Sequence, residues 1–463
     1  MARKPLIGRT VRRLRTERGM TQQALAVALG ISASYLNLIE HDQRAVTAAL
    51  LLKLATLFRV DLAALDNGAE RQTEAALREA FADPMLGPDA VPEAEIPALV
   101  DAAPNAARAI LALYRAWRVA REDSGGIALP TGKRILLPTE EVRDLFHDRA
   151  NHFPALEALA EAMAAELGAA PAEMNHAIAQ RLRGKHGLAV RVGPLGGALR
   201  RYEPESRTLG LSELLPRESR GFQMAFQLML LEGREAVEAE IAAMSPTSTE
   251  AAQLLRVGLL NYAAAALMMP YDAFLRVAGE LRHDLDAIAA RFAVSFEQAA
   301  HRLSSLNRPS ARGVPFFFLR ADAAGNVTKR YSAAGFPFAR YGGSCPRFAP
   351  HLAFTSPGRI VVQVAELPDG ARFLCFAKAV AQIAGPWPEP PSLRVIAMGC
   401  DAAHGDAVVY ADRLNLERAT TGIGLSCRLC DRPNCASRAF PPVEHRLALD
   451  PAQRGASAYS FAR

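Results

Sequence analysis

The sequence predicts a multidomain chain, mainly α with an α+β C-terminal part: an N-terminal bundle of short helices, a helical middle domain and a C-terminal domain built on an antiparallel sheet. Three observations carry this expectation. At 463 residues the chain is longer than one hydrophobic core serves. Apolar residues recur at helical spacing through the first two thirds, then switch after Asn307-Arg308-Pro309 to strand-like runs. Between residues 83 and 104 ("DPMLGPDAVPEAEIPALVDAAP") Pro, Ala and acids dominate, a composition that breaks helices and marks a border. The expected divisions are 1–70, a linker over 71–105, then 106–305 and 306–463.

Composition narrows the function classes. Half the residues are apolar and 22% are charged, which is globular usage and excludes a disordered or fibrous chain. Of six cysteines, Cys427, Cys430 and Cys435 fall within nine residues; that distribution fits a metal or redox site in a reducing cytosol, not a secreted disulfide framework. A cytoplasmic location is therefore expected. The opening "MARKPLIGRTVRRLRTERG" lacks the apolar stretch of an export signal. The longest apolar run, Val257 to Met269, is interrupted by Asn261 and is shorter than the ~18–20 residues a bilayer requires, so no membrane association is expected. Net charge is +6, and the excess is local: Arg3, Lys4, Arg9, Arg12, Arg13, Arg15 and Arg18 face only Glu17 at the start of the chain. Such a cluster suits a polyanion.

Five short helices are expected in the first seventy residues. "TQQALAVALG" opens on an N-cap Thr21 and stops at Gly30; "SASYLNLIE" opens on Ser32, with Tyr35, Leu38 and Ile39 available to face inward and Ala33, Ser34 and Asn37 outward. Two helices joined across "GIS" make a helix-turn-helix. The order T-Q-x-x-L-A, L-G-I-S and a helix ending I-E resembles the XRE or lambda-repressor class of DNA-binding domains. The resemblance implies that Ser32, Ala33, Ser34, Tyr35 and Asn37 reach base edges in the major groove of double-stranded DNA. It also implies that Arg12, Arg13, Gln22 and Arg44 hold phosphates. Such domains bind as homodimers or higher homo-oligomers; nothing after Asp66 reads as a coiled coil, so the subunit contacts are expected from the larger body.

In the middle domain, helical patterns over Ala106–Arg121 and "TEEVRDLFHDRANHFPALEALAEAMAAELG" lead to a strand-like stretch in which Val190 and Val192 alternate with Arg191. A hairpin around "EPES" and two long helical patterns from Glu218 and Thr249 follow. This order resembles the ImmA/IrrE group of zinc-peptidase-like domains, whose first helix carries H-E-x-x-H, and implies a zincin-like fold. Here Phe226, Gln227 and Leu230 stand at the two His and the Glu, and Leu259 stands where that group's third, acidic ligand lies. Phe and Leu cannot ligate zinc and Gln cannot act as a base, so no catalysis is expected. Met224, Phe226, Met229, Tyr262 and Met268 form a Met and aromatic stripe that is either an apolar pocket or plain core.

The C-terminal segment predicts strands in pairs around Gly325-Asn326 and Pro368-Asp369-Gly370, and a fifth and sixth in "SLRVIAMGCDAAHGDAVVYAD", with helices on one side of the sheet. The spacing C-x2-C-x4-C then offers three thiolates for Zn²⁺ or a [4Fe–4S] cluster, both of which usually take four ligands. Cys400 is the expected fourth, with Cys345 its competitor; His404 and His445 are substitutes, and Cys375 reads as core.

Taken together, the XRE-type start, the degenerate peptidase-like middle and the tail "CRLCDRPNCASRAFPP" resemble the short-chain fatty acyl-CoA regulator family. The resemblance implies a transcriptional regulator of propionyl-CoA, acetate or glyoxylate-related genes that senses an acyl-CoA. It also implies an iron–sulfur cluster at the cysteine motif in some members, and hence a rival reading in which the thiols are the sensor. Coenzyme A needs cations for its phosphates, aromatic faces for adenine and an apolar end. By residue type the candidates are Arg149, Lys185, Arg200, Arg201, Tyr202, Phe226, Tyr262 and Tyr271.

Overall fold

Side-chain caps fix where the first helices begin. The computed structural model describes residues 8–58 apart from 42 and 45, 68–83, 91–123, 138–338, 344–381, and 392–461 apart from 413, 417, 443, 444, 449–451, 453, 454 and 458. Helices α1 (Gly8–Glu17), α2 (Gln22–Leu29), α3 (Ala33–Glu40) and α4 (Ala48–Phe58) form the N-terminal bundle. Thr21 accepts from the Ala24 N–H and Ser32 from the Tyr35 N–H, while Gly30, at φ 71°, ends α2 in the left-handed conformation. Helix α3 leaves α2 at 106°, within the range of a helix-turn-helix. The core is Val11, Leu25, Leu29, Leu36, Ile39, Leu54 and Phe58. Tyr35 and Leu38, expected inward, are only half-buried; Leu36 pairs with Ile39 on the buried face instead. Residues 59–67, where the first domain was expected to end, lie outside the described residues.

The segment expected as a linker holds helices α5 (Gly68–Phe81) and α6 (Glu95–Ala102), which pack with α7 (Pro104–Asp123) around Leu77, Ile96, Val100 and Leu111. Its prolines delimit helices instead of abolishing them. Pro97 sits in the first turn of α6 and Pro104 opens α7, positions where the missing N–H has no intrahelical partner to lose.

Residues 132–334 and 346–423 make a second compact unit. Helices α8 (Pro138–Asp148), α9 (Pro154–Leu167) and α10 (Met174–His186) precede strands β1 (Ala189–Gly193), β2 (Arg200–Glu203) and β3 (Thr208–Ser212). The expected hairpin is β2 against β3, and β1 lies parallel to β3 on its other side. Helices α11 (Arg217–Glu232), α12 (Arg234–Met244), α13 (Thr249–Met268), α14 (Tyr271–Glu280), α15 (Leu285–Phe292) and α16 (Phe296–Leu303) complete the middle part. By length and composition α13 matches a membrane span, but Leu255, Leu259 and Ala263 to Met268 are buried in the core of this unit.

The second sheet contains β4 (Phe317–Asp322), β5 (Val327–Ser332), β6 (Ile360–Glu366), β7 (Arg372–Ala381), β8 (Leu393–Asp401) and β9 (Thr420–Gly422), in the order β5-β4-β8-β7-β6-β9. Both expected hairpins are present. The sixth strand is not where it was expected, and the sheet is mixed: β9 runs parallel to β6. Residues 402–411 form two 3-10 turns because their polar groups are engaged elsewhere. Asp401 accepts from the Ala403 N–H, the Val409 N–H donates to the Arg282 carbonyl, and the Tyr410 hydroxyl accepts from the Leu285 N–H. One apolar core runs from Phe153 to Ala411 and takes in helices and sheet alike.

A buried ion pair crosses that core. Glu157 on α9 and Arg302 on α16, 2% and 1% exposed at the side chain, meet in a two-pronged contact of 2.6 and 2.8 Å. The Tyr262 hydroxyl of α13 donates to Glu157 at 2.5 Å, and Arg302 donates also to the Met269 carbonyl and the Ser305 hydroxyl. Burial pushes the Glu157 carboxyl up, but the Arg302 guanidinium outweighs it and holds the group below the usual carboxylate range.

Arg302→Met leaves a buried carboxylate unpaired and is expected to cost about 3–5 kcal/mol, whereas the double variant Glu157→Leu/Arg302→Met recovers most of it; denaturant unfolding reads both. Because the folded-state value of Glu157 is depressed, its contribution is present above the usual carboxylate range and lost as pH falls through the folded value. The melting temperature of the parent is thus expected to fall more steeply in acid than that of the double variant.

Candidate functional site

The face that would meet DNA is built on one buried acid. Glu40, 4% exposed at the end of α3, receives the Arg15 guanidinium of α1 at 2.6 and 3.1 Å and the Gln22 amide of α2 at 3.1 Å. Arg15 donates as well to the Met20 carbonyl. Three helices are pinned by this set, and α3 is left with Ala33, Ser34 and Asn37 exposed beside the exposed cap Ser32 and half-buried Tyr35. Gln22 also donates to the Asn37 side chain at 3.2 Å, which aims that amide outward from the helix. Arg12 and Arg44 are exposed; the Arg13 side chain lies outside the described residues. An α-helix edged with small polar groups and flanked by cations is the shape and charge that a major groove accepts.

In the middle part, Phe226 and Leu230 stand one turn apart on α11, and Gln227 shares their side of the helix. The peptidase chemistry is absent from this triplet. The Arg200 guanidinium of β2 lies 3.9 Å from the Phe226 ring centre, a cation–π contact with an edge strand. Arg200 faces no carboxylate: burial alone lowers its pKa, and its Nη1 is buried without a hydrogen-bond partner among the described residues. Gln227 is fully buried, and neither its amide oxygen nor its amide nitrogen has a partner. A guanidinium with a buried, partnerless Nη1 lies on Phe226, and an amide partnerless among the described residues follows at the next position of α11, where the motif of an intact zinc peptidase would lie.

The other expected ligand residues are dispersed. Tyr202 shares the inner face of β2 with Arg200, whereas Arg201, by strand alternation, faces out and donates to the Leu195 carbonyl. Lys185 donates to Glu232, which Arg181, Lys185 and His186 together hold down to about 2 despite partial burial. Arg149 faces Glu240 at 3.9 Å. Tyr262 and Tyr271 are core residues with occupied hydroxyls: Tyr262 donates to Glu157, and Tyr271 donates to the Ala311 carbonyl and accepts from the Arg308 N–H. Met229 and Met268 are fully buried and pack in the core. A cleft of about 450 Å³ lies elsewhere in this unit, lined by Glu161, Ala164, Pro171, Met174 and Asp272 among others, but both of its carboxylates are paired with Arg308.

The cysteine tail is organised by a side chain that spacing alone does not single out. Arg438, 7% exposed, donates to the carbonyls of Cys427, Cys430 and Arg432 at 2.8 Å each. His445 bonds Asp431 and stacks on Phe461. Cys430 is buried, and a β-carbon on Gly424 would come within 2.8 Å of its sulfur, so only glycine fits there. Thiols are suitable donors for zinc or iron, and the Ala439 N–H points at the Cys427 sulfur at 3.4 Å. No group of three Cys, His, Asp or Glu side chains converges as a ligand set among the described residues. Cys400, expected as the fourth ligand, lies in the apolar core on β8 opposite Leu374, where burial pushes its thiol up to about 12. Cys345 is buried as well.

Residues 11–65 match the helix-turn-helix family, 183–304 the IrrE N-terminal-like domain and 305–459 the short-chain fatty acyl coenzyme A regulator C-terminal family. Among curated relatives, the propionyl-CoA carboxylase regulator of Cereibacter sphaeroides is 40% identical over 465 residues, all of both chains. The HTH-type transcriptional regulator RamB of Mycobacterium tuberculosis is 39% identical over 98% of each chain, and PrpR of the same organism is 39% identical over 96% of this chain and 93% of its own. A solved Mycobacterium tuberculosis transcriptional regulator superposes with a TM-score of 0.67 at 40% identity, covering 70% of this chain and all of that one. A helix-turn-helix with an open recognition face, a peptidase-like frame without its ligands and end-to-end similarity to named regulators converge on one conclusion: the chain is a DNA-binding transcriptional regulator of the short-chain fatty acyl-CoA regulator family.

Proposed function

We propose that the protein is a cytoplasmic, homo-oligomeric and non-catalytic regulator that binds propionyl-CoA or acetyl-CoA in its middle part and controls genes of acyl-CoA, propionate or glyoxylate-related metabolism. The observation that carries the effector reading is Arg200: a half-buried guanidinium with no acid beside it, stacked on Phe226 where a zinc ligand would stand. A site that has exchanged a metal for a cation on an aromatic face suits an anionic, partly apolar ligand. The printed name of the Cereibacter relative points to propionyl-CoA metabolism. Ser32, Ala33, Ser34, Tyr35 and Asn37 read bases, while Arg12, Arg13 and Arg44 hold phosphates and Gln22 aims Asn37. Effector binding biases two arrangements of a dimer that differ in the spacing of their α3 helices, since a ligand that leaves DNA untouched acts only through such a difference.

A second reading makes the tail the sensor, through zinc or a [4Fe–4S] cluster at Cys427, Cys430 and Cys435. The donor chemistry of three clustered thiols supports it.

Fluorescence anisotropy on DNA from the protein's own promoter tests the first reading. Arg44→Ala is expected to weaken binding on all sequences and reduce the salt slope by about 1, whereas Asn37→Ala relaxes specificity at one base position, at about 1–3 kcal/mol. Propionyl-CoA is expected to shift the operator Kd several-fold with free coenzyme A shifting it less; identical curves with and without acyl-CoA count against an effector. For the tail, elemental analysis of anaerobically purified protein is decisive: bound metal that Cys430→Ser loses, with operator affinity lost alongside it, favours the second reading.

A further inference from the structure

Gln227 is the most buried unpaired amide in the middle part. Its side chain is wholly out of solvent, and both its donor and its acceptor lack partners among the described residues. Orphaned buried amides are costly, and a position needing only bulk takes Leu or Met, as Leu228, Met229 and Leu230 do in the same turn. Gln227 follows Phe226, and among the described residues Arg200 is held over that ring by a cation–π contact, with Nη1 unpaired. With burial as its one electrostatic perturbation and no ion pair among the described residues, the Arg200 guanidinium is available to a ligand phosphate, and its ring partner Phe226 directly precedes Gln227 on α11.

We infer that Gln227 is the specificity-determining residue of the effector site: its amide N–H₂ donates to the thioester carbonyl of an acyl-CoA, so the protein distinguishes the acylated ligand from the free thiol. The inference rests on the acyl-CoA reading above. Free coenzyme A has no carbonyl at that point and leaves the amide as unsatisfied as before, so the preference comes from pairing a group that is otherwise unpaired. Arg200 serves both ligands equally because it answers the phosphates they share.

Calorimetric titration of the full chain with propionyl-CoA and with free coenzyme A tests this in the parent and in Gln227→Met, a near-isosteric variant that removes the orphan. The parent is expected to prefer the acyl form on the order of tenfold, and Gln227→Met to abolish that preference while leaving free coenzyme A affinity unchanged. Gln227→Leu, which offers neither donor nor acceptor, is expected to lose the preference too, and it substitutes for the first variant should that one misfold. A preference retained in a folded variant overturns the role of Gln227 and leaves the acyl-CoA reading standing. Failure of the parent to bind either ligand overturns both.

Discussion

Glu157 and Arg302 are 145 positions apart, yet their side chains meet with almost no solvent contact and draw α9, α13 and α16 onto one point through Tyr262 and the Met269 carbonyl. Charges this deep are tolerated only when each lone pair and proton finds a partner, and here the second prong and the hydroxyl supply them. The neighbouring turns are organised around the same spot: Asn151 reaches Ser304, and Asn307 reaches the Ala150 and Ser304 carbonyls. The chain leaves α16 through this network and enters the second sheet, so the pair fixes where the peptidase-like helices end and the sheet begins. A shared apolar core then continues across that join.

The frame so fixed carries no H-E-x-x-H motif on α11. The Arg200 guanidinium bridges β2 to α11 through the Phe226 ring. A guanidinium stands on an aromatic ring at positions where the peptidase motif has its two His and its Glu, and Phe226, Gln227 and Leu230 offer neither zinc ligands nor a general base. The change is economical in sequence terms, since the scaffold residues around α13 stay buried as before. In the N-terminal bundle Glu40 ties α3 to α1 and α2 through Arg15 and Gln22, so the recognition helix is held as one piece with its neighbours.

Much of the fold was legible in the sequence because caps, turn glycines and period are local. Thr21, Gly30 and Ser32 gave the helix-turn-helix its boundaries, and Gly325 and Gly370, both at positive φ, gave two hairpins. What escaped was non-local. Prolines at 97 and 104 read as breakers although they stand at helix starts, and the β-like run Val408-Val409-Tyr410 became 3-10 turns because partners on residues 282–285 captured its polar groups. The candidate site was legible by residue type and not by arrangement: Arg200 and Phe226 were named separately and stack together, while Tyr262, Tyr271 and Cys400 are buried in the core. Arg302, Arg438 and Glu40 gave no sequence signal of their roles, because a charged residue destined for burial looks like any surface one until its partner is known.

Thermal unfolding with propionyl-CoA, acetyl-CoA and free coenzyme A, run in parallel on the parent and on Arg200→Ala, tests most directly whether the emptied peptidase frame is the effector site. A ligand that binds only the folded chain raises the melting temperature saturably, so the parent is expected to rise most with one acyl form and the variant to lose most of that rise. No rise in the parent with any of the three, or an equal rise in parent and variant, contradicts the account.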